Sequence, residues 1–168
     1  MLFRSWRSFS TNPGESVTFV QPNSGSISLN RVTGAEASTL RGSLSANGQV
    51  ILVNPNGVLI GPTGSVDVNG LVATTSDIRN QDFLNGKYSF GQASGNPNAT
   101  VVNQGRITTA PGGYAALSAP GVANEGTITA DVGTVVLGGA KSFAIDLEGD
   151  KLLRYQITGP VEIGRAHV

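Results

Sequence analysis

Few residues in this chain are equipped for bond-making chemistry. It carries eleven Lys and Arg, eleven Asp and Glu, a single His and no Cys in 168 residues. Asp146, Glu148 and Asp150 alternate with apolar and Gly positions, so they could share one strand face. Converging carboxylates of that kind serve acid–base cleavage of polysaccharides, but a solvated strand face produces the same alternation and is the simpler reading. Asp67 and Asp131 fall at different phases of the repeat that runs through the sequence and need not stack. Without Cys, and with His167 as the only imidazole, a nucleophile–base dyad has little to draw on. Gly112-Gly113-Tyr114 and Gly138-Gly139-Ala140-Lys141 lack the spacing of a phosphate loop, and no calcium-loop frame occurs. The expectation is a non-enzyme without metal or cofactor. The alternatives are a β-helical polysaccharide-active enzyme, or a glycan-binding surface module using exposed Tyr88 and Phe90.

The constellation with most information is a turn, Asn54-Pro55-Asn56-Gly57, set between the apolar runs Val50–Val53 and Val58–Ile60. Pro55 fixes φ for the second turn position, while Asn56 and Gly57 suit the later ones. The Asn54 side chain can bond its own backbone two residues on, and can also reach a neighbouring coil. Taken by itself, this is a tight corner.

The elements that position it repeat. Asn103-Gln104-Gly105-Arg106-Ile107-Thr108 returns 21 residues later as Asn124-Glu125-Gly126-Thr127-Ile128-Thr129, and Tyr114 and Ala116 map to Val135 and Leu137. A 22-residue version relates Gly42-Ser43-Leu44-Ser45 to Gly64-Ser65-Val66-Asp67, and Gly48 matches Gly70. Self-similarity at this period means stacked supersecondary units. Each unit holds β-type runs of three to five residues punctuated by Gly, Asn or Pro, too short for helices. Three strands and three corners close one triangular coil, and successive coils pair in parallel. Gly42, Gly48, Gly64, Gly70, Gly105 and Gly126 are the expected corner residues, supplying positive φ. Asn103 and Asn124 read as a stacked Asn ladder. A leucine-rich repeat needs a different Leu frame, and a β-sandwich would not hold so long a register. The sequence therefore reads as all-β, a parallel β-helix.

Composition agrees. The charged fraction is 13% with net charge zero, so there is no electrostatic case for nucleic acid or an anionic membrane. No run reaches the length of a membrane span, and the start lacks the apolar stretch of a secretory signal. Absence of Cys suits a polypeptide that crosses an oxidising space unfolded. One domain is expected over residues 1–162, with Trp6 and Phe9 exposed at an uncapped start. Residues 163–168 resemble a translated sequencing adapter. Residues 79–100 break the template. Gly64 to Gly105 spans nearly two periods without a middle signature, which suggests a projecting hairpin or loop laid against the helix.

Six blocks occur in order: Trp6-x-x-Phe9, Gly14-Glu15-Ser16-Val17-Thr18-Phe19, Leu29-Asn30-Arg31-Val32-Thr33-Gly34, Asn47-Gly48-Gln49-Val50, Asn54-Pro55-Asn56-Gly57-Val58 and Gly70-Leu71-Val72-Ala73-Thr74. The series resembles the amino-terminal secretion domain of the filamentous haemagglutinin family, the exported partner in two-partner secretion. The resemblance covers roughly residues 5–160. It implies a right-handed single-stranded parallel β-helix at the front of a large secreted or cell-surface adhesin or haemagglutinin-like exoprotein. It further implies a partner, an outer-membrane β-barrel transporter whose periplasmic transport-associated domains read the exported protein, and host-cell contact through downstream regions. Asn54, Pro55, Asn56 and Gly57 match the family's secretion motif. A second Asn-Pro-Asn-Leu motif is absent, Gln21-Pro22-Asn23 being the nearest stretch. By this likeness the sequence is a fragment, lacking a signal peptide and a capping segment.

Overall fold

The structure, a computed structural model, describes residues 2–147 and 153–159. The polypeptide winds through β1 (Leu2–Trp6), β2 (Ser16–Phe19), β3 (Ile27–Val32), β4 (Ser38–Leu40), β5 (Ser43–Ala46), β6 (Gln49–Val53), β7 (Val58–Ile60) and β8 (Ser65–Thr74). After a side excursion of α1 (Asn80–Leu84) and β9 (Tyr88–Phe90), it resumes with β10 (Thr100–Asn103), β11 (Arg106–Ala119), β12 (Gly121–Asn124), β13 (Thr127–Thr129) and β14 (Thr134–Gly139). It then leaves the stack as β15 (Phe143–Asp146) and β16 (Arg154–Ile157).

Three parallel flanks result. One stacks β2, β5, the first half of β8, the first half of β11, and β13. A second stacks β1, β3, β6, the second halves of β8 and β11, and β14. The third and shortest stacks β4, β7, β10 and β12. This is the parallel β-helix that the repeat requires. On the first flank alternation decides which side chains enter: Leu44, Val66 and Ile107 point into the coil and are buried, while Ser43, Ser65 and Arg106 do not.

The second flank differs. β6 is apolar without interruption after Gln49, and its Val50 and Leu52 join the coil interior while Ile51 and Val53 join a second core outside. A strand buried on both faces reads as a continuous apolar run. Its cover is a three-stranded antiparallel sheet, β9–β15–β16, with α1. Phe90 stacks on Phe143 at 4.7 Å between ring centroids, and Phe143 on Tyr155 at 5.2 Å. Arg31 fastens the base of the excursion: its Nε donates to Asp77 Oδ1 at 2.8 Å, Nη1 to Asn80 Oδ1 at 2.8 Å and Nη2 to the Ile78 carbonyl at 2.6 Å.

The excursion expected near residues 79–100 is present, with differences in kind. Its strand finds its partner some way onward in β15 rather than within a hairpin of its own, and it contains a helical turn. Tyr88 and Phe90 are 4% and 0% exposed, which removes them as a glycan platform. Val66 pairs directly with Ile107, so the long gap between Gly64 and Gly105 is one coil carrying an insertion. Phe9 is buried and Trp6 half-buried, edge-to-face at 5.2 Å, because both close the first coil from inside. On the second flank Tyr114 lies opposite Thr134 and Leu117 opposite Leu137, one residue off the 21-residue mapping.

The glycines also need a different explanation. Positive φ among the described glycines occurs only at Gly14, Gly57, Gly86 and Gly112. Gly42, Gly64, Gly105 and Gly126 are small for another reason: a Cβ on each would stand 2.2–2.4 Å from a carbonyl oxygen of the preceding coil. Gly70 makes room for the ring of Tyr114, which would sit 2.5 Å from a Cβ there. A Cβ on Gly48 would likewise stand 2.7 Å from the Gln21 side-chain amide and from the Ser26 carbonyl.

Candidate functional site

The Asn54–Gly57 turn forms the corner where the second flank passes into the third, between Val53 and Val58, both buried. The amide of Gly57 donates to the Asn54 carbonyl at 3.0 Å and closes the turn. Asn54 Oδ1 accepts from the Asn56 amide at 2.9 Å, which is the Asx-turn geometry that an Asn at this position favours. The same side chain faces the coil below, where Nδ2 donates to Ser38 Oγ at 2.9 Å and to the Glu36 carbonyl at 3.1 Å. Its main-chain amide donates to the Thr74 carbonyl in the coil above at 3.0 Å. Asn54 therefore ties three coils together, and it is completely buried.

Asn56 completes the seam. Its Nδ2 donates to the Gly34 carbonyl at 2.8 Å and to Asn54 Oδ1 at 3.0 Å, so one amide repeats the cross-coil bond of the other. Gly57 has φ +119, a backbone that L side chains rarely adopt, and a Cβ there would also stand 3.0 Å from the Thr100 carbonyl. Pro55 is half-buried, and its carbonyl accepts a hydrogen bond from Ser94 of the excursion. The corner contains no titratable side chain. What it can do chemically is lock one conformation through neutral hydrogen bonds.

The other residues singled out in the sequence do not gather here. Asn103 Nδ2 donates to Asn124 Oδ1 at 2.9 Å, and each Asn caps the amide two residues on, at Gly105 and Gly126. That ladder occupies the next corner, between the third and first flanks. Gly42, Gly64, Gly105 and Gly126 line that same corner, while Gly48 and Gly70 mark the bend between the first and second flanks. Asp67 lies on the outer side of the first flank across from Thr108, and Asp131 offers its carbonyl to Gly112. Asp146 pairs with Arg154 across β15–β16, and Glu148 and Asp150 lie outside the described residues. Among the described residues, no group of three or more His, Cys, Asp or Glu could hold a metal ion, and no helix is long and apolar enough to cross a membrane.

Sequence reasoning missed two partly buried phenols. Tyr114 donates to Gln49 Oε1 at 2.7 Å, and burial, reinforced by Tyr88, holds its hydroxyl far above the usual phenol range. Tyr155 lies 2.8 Å from Ser118 Oγ and is raised by burial, partly offset by that hydrogen bond. Gly at 70 and at 138 was the available signal, since each clears space for one of these rings.

Comparison with known proteins gives one consistent answer. The family description of the TPS secretion domain matches residues 1–167. A heme/hemopexin-binding protein of Haemophilus influenzae is 35% identical over 156 residues, 88% of this chain and 17% of that protein. A second heme/hemopexin-binding protein of that species is 42% identical over 85 residues, 51% of this chain and 9% of the relative. The sequence thus spans a small part of the length of the curated relatives it matches. The crystal structure of the HMW1 secretion domain from Haemophilus influenzae superposes with a TM-score of 0.84 at 35% identity, covering 94% of this chain and 42% of that one.

Proposed function

The chain belongs to the TPS secretion domain family, and on that footing we propose that Asn54–Gly57 is its secretion motif and works by fixing the coil that templates folding. The observation that carries this is the burial of Asn54, whose amide is fully engaged with the coil below and with its own turn. A side chain held inside the stack offers a partner nothing in the folded domain. The transporter therefore reads this segment before folding, and the turn acts afterwards, when the emerging polypeptide seats its third flank.

The domain targets an exported, adhesin-like exoprotein for secretion. The partner is an outer-membrane β-barrel transporter, engaged through periplasmic transport-associated domains, and the destination is the cell surface or the medium. Each finished coil presents an open parallel edge to the next, so folding outside proceeds along the sequence by nearest-neighbour steps and draws the remainder through. Adhesion to host cells belongs to regions downstream.

The test is export of the full-length protein by its transporter, comparing the natural sequence with the double variant Asn54→Ala, Asn56→Ala. Export is expected to fall sharply. Binding of the urea-unfolded variants to the transporter's periplasmic part separates the two stages. Wild-type export of the double variant would remove the motif's role altogether. Unchanged binding with reduced export places its action in folding.

A further inference from the structure

The sequence contains four Asn-Gly pairs: Asn47-Gly48, Asn56-Gly57, Asn69-Gly70 and Asn85-Gly86. Such pairs are reactive because Gly has no side chain to shield its nitrogen and the greatest backbone freedom. The Gly nitrogen attacks the carbonyl carbon of the Asn side chain. A new N–C bond forms as the C–N bond of the Asn carboxamide breaks, and ammonia leaves with the proton from the Gly nitrogen. Water then opens the cyclic imide at either carbonyl, giving Asp or isoaspartate. The reaction needs the carboxamide and the following nitrogen both free to move.

Three pairs are held at both groups. Asn47 Oδ1 accepts from the Gln21 amide at 2.7 Å, its Nδ2 donates to the Gln21 carbonyl at 2.8 Å, and the Gly48 nitrogen donates to Gln21 Oε1 at 3.0 Å. Asn56 Nδ2 donates to the Gly34 carbonyl at 2.8 Å, and the Gly57 nitrogen to the Asn54 carbonyl at 3.0 Å. Asn69 Nδ2 donates to the Ser24 carbonyl at 2.7 Å, and Gly70 lies inside β8, paired on both sides with Gln49 and Tyr114.

Asn85 is different. It is exposed, and its Oδ1 accepts from Gln81 Nε2 at 3.2 Å, one turn earlier in the same helix. The helix is five residues long and has no side-chain cap at Arg79. One isolated turn is the least stable kind of helix. Fraying of this end breaks three main-chain bonds, Asn85 to Gln81, Gly86 to Phe83 and Lys87 to Asp82, and leaves the coils intact. We propose that Asn85-Gly86 is a self-modification site of the folded domain, converting to Asp and isoaspartate while the other three pairs are protected by the stack. The product places a carboxylate, and in the iso form one extra backbone carbon, just ahead of β9. This rests on the reactivity of the pair itself and stands apart from the reading of export.

The folded protein is aged in mildly alkaline buffer and mapped by peptide mass spectrometry, with isoaspartyl methyltransferase labelling of the products. Conversion at Asn85 is expected at least about tenfold faster than at Asn47, Asn56 or Asn69, because local fraying requires less free energy than opening a coil. In urea the four rates converge. The Asn85→Gln variant loses the fast event. The proposal is overturned if any coil pair keeps pace in the folded protein, if Asn85 converts only in urea, or if Asn85→Gln leaves the isoaspartate yield unchanged.

Discussion

Asn54 carries more cross-coil hydrogen bonding than its small side chain suggests. Removing it leaves the Glu36 carbonyl and Ser38 Oγ without this donor in a buried corner. Asn54→Ala is expected to cost about 1–3 kcal/mol, the usual range for an orphaned buried partner. Asn56→Ala, half-exposed, should cost less, and denaturant titration of both variants checks the order. Gly105→Ala tests the packing account of the corner glycines. Its Cβ would approach the Gly64 carbonyl to 2.4 Å, and overpacking of this kind costs about 1–3 kcal/mol. Gly95→Ala, with nothing within 4 Å, should be neutral in the same denaturant titration. Tyr114 predicts alkaline sensitivity. Its phenol is raised above the ordinary 10.0, so the folded state keeps a proton that the unfolded state releases above that pH. The contribution is fully present below pH 10.0 and falls as pH rises beyond it. Tyr114→Phe should flatten that part of the melting curve.

At the scale of elements, the short strands and their parallel stacking were legible because apolar runs of three to five residues recur at a fixed interval. The run Val50–Val53 reads in the sequence only as a short strand, and its burial on both faces comes from the side sheet that packs against it. The cover is non-local: β9 waits for β15, and no periodicity links them. Helix α1 escaped because five residues are too few to show a helical period. The corner glycines were found but misread, since a single sequence does not distinguish a residue that needs positive φ from one pressed against a carbonyl. In the candidate site the Asx-turn of Asn54 was foreseeable from residue type, whereas its complete burial followed only from the stacking of three coils. Phe143→Ala cuts the aromatic stack of the side sheet and should destabilise by about 3–5 kcal/mol. Hydrogen exchange should show β9, β15 and β16 losing protection while β7 and β10 keep theirs.

Across the whole molecule, one coil carries an insertion without losing step. Val101 is 43 residues from its partner Val58, yet only 21 from Val122, and all three stand in one column. The stack records which strand lies next to which, and is indifferent to how much sequence is spliced in at a corner. The loop at Gly91 and Gly95 has no neighbour within 4 Å of an added Cβ. A foreign peptide grafted at Gly95, leaving Gln92 bridged to Asp77 and Ser94 on the Pro55 carbonyl, would ride outside as a passenger, making this corner a natural place to mount an epitope or tag for display.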